Sequence, residues 1–84
     1  MGLHLLIYYL TISLRTVESE IAMSISEIQN KNSDVEIGSY PFFRAGKLGV
    51  SIVVRSSNKE KLKNCEKEIL NLVKSKSIEI VEDV

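Results

Sequence analysis

The stretch VEIGSYPFFRAGKLGVSIVV, from Val35 to Val54, decides the fold of this chain. Its first run, Val35 to Ile37, predicts a short strand that leads into Tyr40 and Pro41. Because proline has no N–H and holds the preceding residue extended, we expect this strand to lie at a sheet edge. The second run starts at Gly49 and alternates valine and isoleucine with other residues, which is typical of a strand. Two flanking strands make the segment between them a hairpin connection.

A helix is predicted on each side of this stretch. In the first helix, Val17, Ile21, Ile25 and Ile28 recur at spacings of four, four and three, which places them on one face. Thr16 is the expected N-cap of that helix. The second helix is expected to begin with a capping box made by Ser57 and Glu60. Its predicted buried stripe consists of Leu62, Cys65, Ile69, Leu72 and Val73.

The two ends of the sequence supply the first and last strands. MGLHLLIYYLTISL lacks the basic region and cleavage site of a signal peptide, and its apolar run, Leu5 to Leu10, is far shorter than the roughly 20 residues that span a bilayer. We therefore expect a strand buried on both faces, and no membrane partner. SIEIVEDV alternates Ile78 and Ile80 with Glu79 and Val81, which predicts a last strand.

The predicted order is βαββαβ, which favours an α+β fold of the ferredoxin-like type. This fold is a two-layer sandwich, a four-stranded antiparallel sheet with both helices on one face. Its first and third strands lie at the centre, and in this sequence those two are the most apolar. Residues 1–84 are expected to form a single domain. Since the chain begins almost directly in a core strand, we also expect it to be a fragment or a detached domain of a larger protein.

The composition argues against several classes of function. Eleven basic residues balance eleven acidic ones among 84 residues, so no net charge favours nucleic acid or anionic lipid. The lone Cys65 suits a reducing, cytoplasmic compartment, and one cysteine with one histidine, His4, cannot build a zinc site. We expect Cys65 to be a core residue, and we expect no catalytic residue, metal or cofactor.

The sheet face opposite the helices is the first candidate for a binding surface. If the helices cover one face, the other presents an apolar set of side chains, and such patches usually mark a partner surface. The set is Leu5, Ile7, Tyr9, Val53 and Val81. We expect it to contact a second copy of the chain or another domain.

The segment Gly46 to Gly49, GKLG, is the second candidate. It matches the Gly-x-x-Gly signature of single-strand-binding KH domains, but that clamp lies between two helices, whereas this segment precedes a strand. Phe42 and Phe43 could stack on bases, with Arg44 and Lys47 beside phosphates. The alternative is an ordinary hairpin with one phenylalanine in the core. The neutral net charge favours the hairpin.

The residues from Arg15 to Ile69 resemble the region that follows the molybdopterin-binding-like domain in CinA-type proteins, in related archaeal proteins and in eukaryotic FAD synthases. The matching points are Glu18 to Glu20, the IGSYP of Ile37 to Pro41, Val50 to Arg55 and the helix from Asn58. The resemblance implies an accessory module, sometimes described as KH-like, beside a larger domain. That larger domain, with its glycine-rich and acidic segments, has no counterpart in these 84 residues. The resemblance therefore implies no activity for this chain alone.

Two functions remain open on the sequence. The first is a non-catalytic accessory or assembly domain that works through the open sheet face and the SYPFFR corner, with a second copy or a molybdopterin-binding-like domain as partner. The corner's candidate binding residues are Ser39, Tyr40, Pro41, Phe42, Arg44 and Lys47. Tyr40, fixed by the adjacent proline, is expected either to reach into a neighbouring domain or to close the edge of the core. The second function is a small single-stranded RNA-binding module that uses the hairpin.

Overall fold

The computed structural model describes residues 6–81. In chain order its elements are β1 (Tyr8–Arg15), α1 (Glu18–Lys31), β2 (Glu36–Arg44), β3 (Lys47–Ser56), α2 (Lys59–Ser75) and β4 (Glu79–Ile80). The strands form one antiparallel sheet in the order β2-β3-β1-β4. This arrangement confirms the ferredoxin-like α+β sandwich, with β1 and β3 at its centre.

The core lies between the helices and one face of the sheet. Leu14, Val50, Ile52 and Val54 of the central strands are completely buried. The predicted stripes of both helices are confirmed, since Ile21, Ile25 and Ile28 of α1 and Leu62, Cys65, Ile69 and Val73 of α2 are buried in one cluster with these residues. Leu72 is partly buried at the margin. Neither helix within residues 6–81 has the length and apolarity needed to cross a membrane.

Both helices begin at different caps from those predicted. The N-cap of α1 is Val17, which has no side-chain cap and is exposed, so neither Thr16 as cap nor Val17 in the buried stripe is correct. The N-cap of α2 is Asn58, whose Oδ1 accepts the Lys61 N–H at 3.0 Å. The reason is local: the buried Ser56 hydroxyl donates to the Asp34 carbonyl and accepts the Asn58 N–H. This anchors the end of β3 and moves the helix start beyond Ser57.

The hairpin is longer and tighter than the sequence predicted. β2 does not end at Ile37 but continues to Arg44, and the chain reverses at Ala45 and Gly46. Both turn residues have positive φ, 53° and 77°, as a type I′ turn requires, and this turn matches the right-handed twist of the strands. Lys47 to Gly49 therefore belong to β3 rather than to a loop.

Pro41 lies at a position of β2 that needs no N–H. Starting from the turn-closing pair Arg44–Lys47, hydrogen-bonded and non-hydrogen-bonded pairs alternate along the ladder, and Pro41 opposite Val50 falls on a non-hydrogen-bonded pair. Its nitrogen thus points away from β3, and no ladder bond is lost. The predicted edge position of this strand is confirmed.

The first and last strands are shorter or more exposed than predicted. β1 starts at Tyr8, and burial on both faces is wrong, since Tyr9 is 61% exposed and Thr11 is exposed as well. The helices cover only one side of the sheet, so alternate residues of β1 face outward. β4 comprises only Glu79 and Ile80, and the Val81 N–H adds one bond to the Ser13 carbonyl at 2.8 Å.

A glutamine side chain fastens α1 to the outer edge of the sheet. Gln29 Nε2 donates to the Val35 carbonyl at 2.6 Å and to the Asn32 carbonyl at 3.3 Å. Its Oε1 accepts the Ile37 N–H at 2.9 Å, on the side of β2 that faces away from β3. One side chain thus satisfies three backbone groups around the α1–β2 connection.

Gln29→Ala is expected to lower the free energy of unfolding by about 2 kcal/mol, because part-buried backbone groups at Val35 and Ile37 lose their partner. Urea unfolding followed by circular dichroism measures the change. Asn30→Ala, at an exposed neighbour on the same helix, is the matched control and should change stability by less than about 0.5 kcal/mol. Equal effects of the two substitutions would contradict this role of Gln29.

Candidate functional site

The sheet face opposite the helices is the candidate site, and strand register determines what it displays. Cross-strand neighbours form rows across β2, β3 and β1. The rows are Glu36–Arg55–Tyr9, Gly38–Val53–Thr11, Tyr40–Ser51–Ser13 and, at the hairpin end, Phe42–Gly49. We call this surface the open face. It combines exposed aromatic rings with hydroxyl groups and charges.

Two tyrosines border a hollow of about 280 Å³ on the open face. Gly38 and Val53 lie between Tyr9 on one side and Tyr40 on the other. Gly38 leaves room for the Tyr40 ring in this position, because a Cβ atom at residue 38 would lie 2.9 Å from the far end of that ring. The hollow brings together Tyr9 and Val53, predicted as interface residues, and Tyr40, predicted as a binding residue. Tyr40 is 60% exposed, so it does not close the edge of the core.

An ion pair closes one end of this hollow. Arg55 Nη2 lies 2.6 Å from Glu36 Oε1, and Arg55 Nε donates to the same oxygen at 3.0 Å. The pKa of Arg55 is raised, first by its hydrogen bond to Glu36 and by the charge of that carboxylate, and then by Tyr9. Both side chains are largely exposed, so the pair contributes little stability. Its effect is to hold the guanidinium beside the Tyr9 ring.

The predicted interface residues share the open face where they are described. Ile7 is 45% exposed just before β1, and Val81 is half-buried beside Ser13 at the opposite edge. Leu5 lies outside the described residues. The apolar side chains of the expected patch do not form one unbroken surface, because polar side chains lie among them. They are Thr11, Ser13, Ser51 and Arg55, and the Ser13 and Ser51 hydroxyls bond to each other at 2.8 Å.

The SYPFFR corner is divided between the two faces of β2. Tyr40 and Phe42 lie on the open face, whereas Ser39 and Pro41 lie on the helix side, where the Ser39 hydroxyl donates to Glu18 Oε1 at 2.7 Å. Phe43 also points to the helix side, opposite Leu48, and is 69% exposed. Phe42 and Phe43 therefore cannot stack on bases of one strand from a common surface, and neither occupies the core.

The hairpin end of the open face is built around a second aromatic–glycine contact. A Cβ atom at Gly49 would lie 2.3 Å from Phe42 Cζ, so the tip of this ring covers Gly49 in β3. The Arg44 guanidinium is 5.7 Å from the centre of the Phe42 ring, a cation–π distance. Arg15 Nη1 donates to the Leu48 carbonyl at 3.0 Å. The predicted binding residues Arg44 and Lys47 thus lie on this face, beside an arginine that sequence reasoning missed.

Cys65 has the environment of a structural thiol. It is completely buried, and burial raises its pKa to about 11, with a smaller contribution from the charge of Glu68. A thiol with a raised pKa carries little thiolate at neutral pH and is a poor nucleophile. Among residues 6–81 no three His, Cys, Asp or Glu side chains lie together as a metal site.

The fold and the open face describe a small accessory α+β domain. Comparison with protein-family models matches residues 7–82 to "FAD synthase, middle domain", and the chain belongs to this family. A middle domain is by its description one part of a larger enzyme. A search of the curated proteins and a search of the solved structures found no match. The family match supports the FAD-synthase-like part of the resemblance seen in the sequence and leaves its CinA-type part open.

Gly49→Ala is expected to destabilise the chain by about 1–3 kcal/mol, because the new methyl group displaces the Phe42 ring. The matched background is Phe42→Ala, in which the same glycine change meets no ring. There it should be neutral or slightly stabilising, since alanine costs less conformational entropy than glycine in a strand. Chemical denaturation of the four proteins gives the coupling energy. Additive effects would show that the ring does not cover Gly49.

The raised pKa of Cys65 predicts a loss of stability at high pH. The unfolded thiol ionises near its ordinary pKa of 9.0, whereas the folded thiol keeps its proton until about 11. Stability from this difference is fully present below about pH 9 and decreases as the pH rises towards 11. Urea midpoints across this range should fall more steeply for the wild-type chain than for Cys65→Ala. Parallel pH profiles would contradict the burial of a neutral thiol.

Proposed function

We propose that this chain is a non-catalytic assembly domain of a FAD-synthase-like protein that docks through its open face. In the cytoplasm of the cell, its partner would be a molybdopterin-binding-like domain of the kind found in CinA-type proteins, or a second copy of the chain. The chemistry of the larger enzyme would reside in the partner domain. The role of the present chain would be to position that domain.

The observation that carries this proposal is the exposure of the hollow between Tyr9 and Tyr40. Both tyrosines are about 60% exposed, and the residues on the floor between them, Val53 and Gly38, are only half-buried. Aromatic side chains around a shallow depression are the groups from which binding hot spots are most often built. A ring held against the backbone also loses little conformational entropy when a partner covers it.

The surrounding side chains fit a protein interface. An apolar and aromatic centre with hydroxyl and charged groups at its margin is the usual anatomy of such surfaces. The Ser13 and Ser51 hydroxyls hydrogen-bond to each other, and Arg55 is paired with Glu36. A partner that covers this part of the face therefore leaves few polar groups without a hydrogen-bonding partner. The cost of removing water from it is correspondingly small.

The alternative of a single-stranded RNA-binding hairpin receives less support. Its two phenylalanines lie on opposite faces of β2, and Gly46 and Gly49 flank a strand segment instead of forming a clamp loop. The sheet could offer Tyr9, Tyr40 and Phe42 to bases, but the chain carries no net positive charge. We keep this function as an outcome of the tests below.

The proposal predicts that titrating isotope-labelled chain with a molybdopterin-binding-like domain of a FAD-synthase-like protein perturbs the backbone amide signals of Tyr9, Tyr40 and Val53. Tyr9→Ser should weaken binding about ten-fold or more, as loss of an aromatic anchor does. Met23→Ser is the matched control, since Met23 is 79% exposed on α1, on the other side of the sheet.

Perturbations confined to α1 and α2, or equal losses from the two substitutions, would contradict docking through the open face. If the domain does not bind, sedimentation equilibrium over increasing chain concentration tests the second copy as partner. A chain that remains monomeric there and binds no domain would overturn the proposed function.

A further inference from the structure

Three cationic side chains gather at the hairpin end of the open face. Arg44 and Lys47 are the directly opposed pair that closes the β2–β3 turn. Arg15 Nη1 donates to the carbonyl of Leu48, the residue after Lys47, and this bond holds the third cation next to the pair. We call Arg15, Arg44 and Lys47 the basic corner.

The basic corner is unfavourable for the chain on its own. Like charges directly opposite each other in an antiparallel pair are destabilising, because their Cβ atoms lie only about 5 Å apart. Within residues 6–81, none of the three cations forms an ion pair with a carboxylate; the two ion pairs are Arg55–Glu36 and Lys61–Asp34. Glu79 lies across from Arg15 in the register of β4, yet the guanidinium donates to Leu48 instead. The contacts that these cations do make, Arg15 with the Leu48 carbonyl and Arg44 with the Phe42 ring, supply no negative charge to offset the clustering.

The described part of the open face, taken together, also carries a net positive charge. Among residues 6–81, strand register places four cations on it, Arg15, Arg44, Lys47 and Arg55, against two carboxylates, Glu36 and Glu79. Since Arg55 is already paired with Glu36, the surplus of two positive charges is concentrated at the basic corner. The chain is neutral overall, so its sheet and helix surfaces differ in charge. Two copies packed face to face would present the same surplus to each other.

We propose that the basic corner binds carboxylate side chains of the partner that docks on the open face, so that this partner is an acidic surface of another protein domain and not a second copy. The inference rests on the proposed function, because it uses the same face. Carboxylates placed against Arg15, Arg44 and Lys47 would remove the repulsion that the isolated chain tolerates. Complementary charge of this kind also speeds association and selects the partner.

The face fits an acidic protein better than a nucleic acid. Glu36 and Glu79 lie on its margins, where a phosphate backbone crossing the sheet would pass them. A folded protein surface can place acidic groups on the basic corner and neutral groups over the two tyrosines and the glutamates. A polyphosphate chain has no such freedom, because it carries one charge per nucleotide.

Lys47→Glu tests the inference with two readouts of opposite sign. In the isolated chain it replaces a repelling pair with an attracting one opposite Arg44, so the urea midpoint should rise. In the complex it removes a carboxylate-binding cation and adds a like charge, so the affinity for the molybdopterin-binding-like domain should fall about ten-fold or more at low salt. That difference should shrink as salt is added. Lys63→Glu makes the same charge change on the exposed surface of α2 and should leave the affinity unchanged.

Each result decides between the proposals. If the domain binds but Lys47→Glu leaves the affinity unchanged, the inference is wrong and the proposed function stands. An unchanged or lower urea midpoint would show that the basic corner carries no uncompensated repulsion, which also overturns the inference. If neither the domain nor a second copy binds, both proposals fall. An oligouridylate that binds more tightly than the domain, and that Lys47→Glu releases, would replace the acidic protein with a nucleic acid.

Discussion

The pairing of β1 with β3 is the constraint on which the remaining structure depends. These two strands place Leu14, Val50, Ile52 and Val54 side by side, and each of these residues is completely buried. α2 contacts both strands of this pair, and α1 packs beside α2 and over β2, so the buried stripes of the helices have a surface to cover only when the sheet has formed. The same register fixes the opposite side of the sheet, because side chains alternate along a strand. Core and open face are therefore two consequences of one alignment.

The edge of β2 is protected against the addition of another strand. The N–H of Ile37 points away from β3 and donates to the Gln29 side chain. The nitrogen of Pro41 also points away from β3, and it carries no hydrogen to donate. An unprotected edge would invite another strand to extend the sheet. The β2 edge is therefore a poor place for strand addition, in keeping with the docking through the open face that we propose.

Much of the fold could be predicted from the sequence, because helix stripes and strand alternation are local patterns. The order βαββαβ, the central position of β1 and β3 and the buried isoleucines of α1 follow from residues close together in the chain. The site could be predicted only in part. Tyr9, Tyr40 and Val53 could be proposed singly, but their meeting around Gly38 depends on a register between strands far apart in sequence. The turn was missed for another reason: Ala45 adopts a left-handed conformation in which asparagine or aspartate is usual, so no turn signal preceded Gly46.

The two-residue turn at Ala45 and Gly46 has a consequence for how the chain folds. It makes the ladder between β2 and β3 almost entirely local, and isolated hairpins of this kind close on the order of 1–10 μs. β1 is separated from β3 in the sequence by α1 and β2, so pairing these two strands closes a long loop. The entropy cost of closing that loop comes before the core contacts that stabilise the pair. The rate-limiting step of folding would then be the arrival of the amino-terminal strand on a hairpin that has already formed.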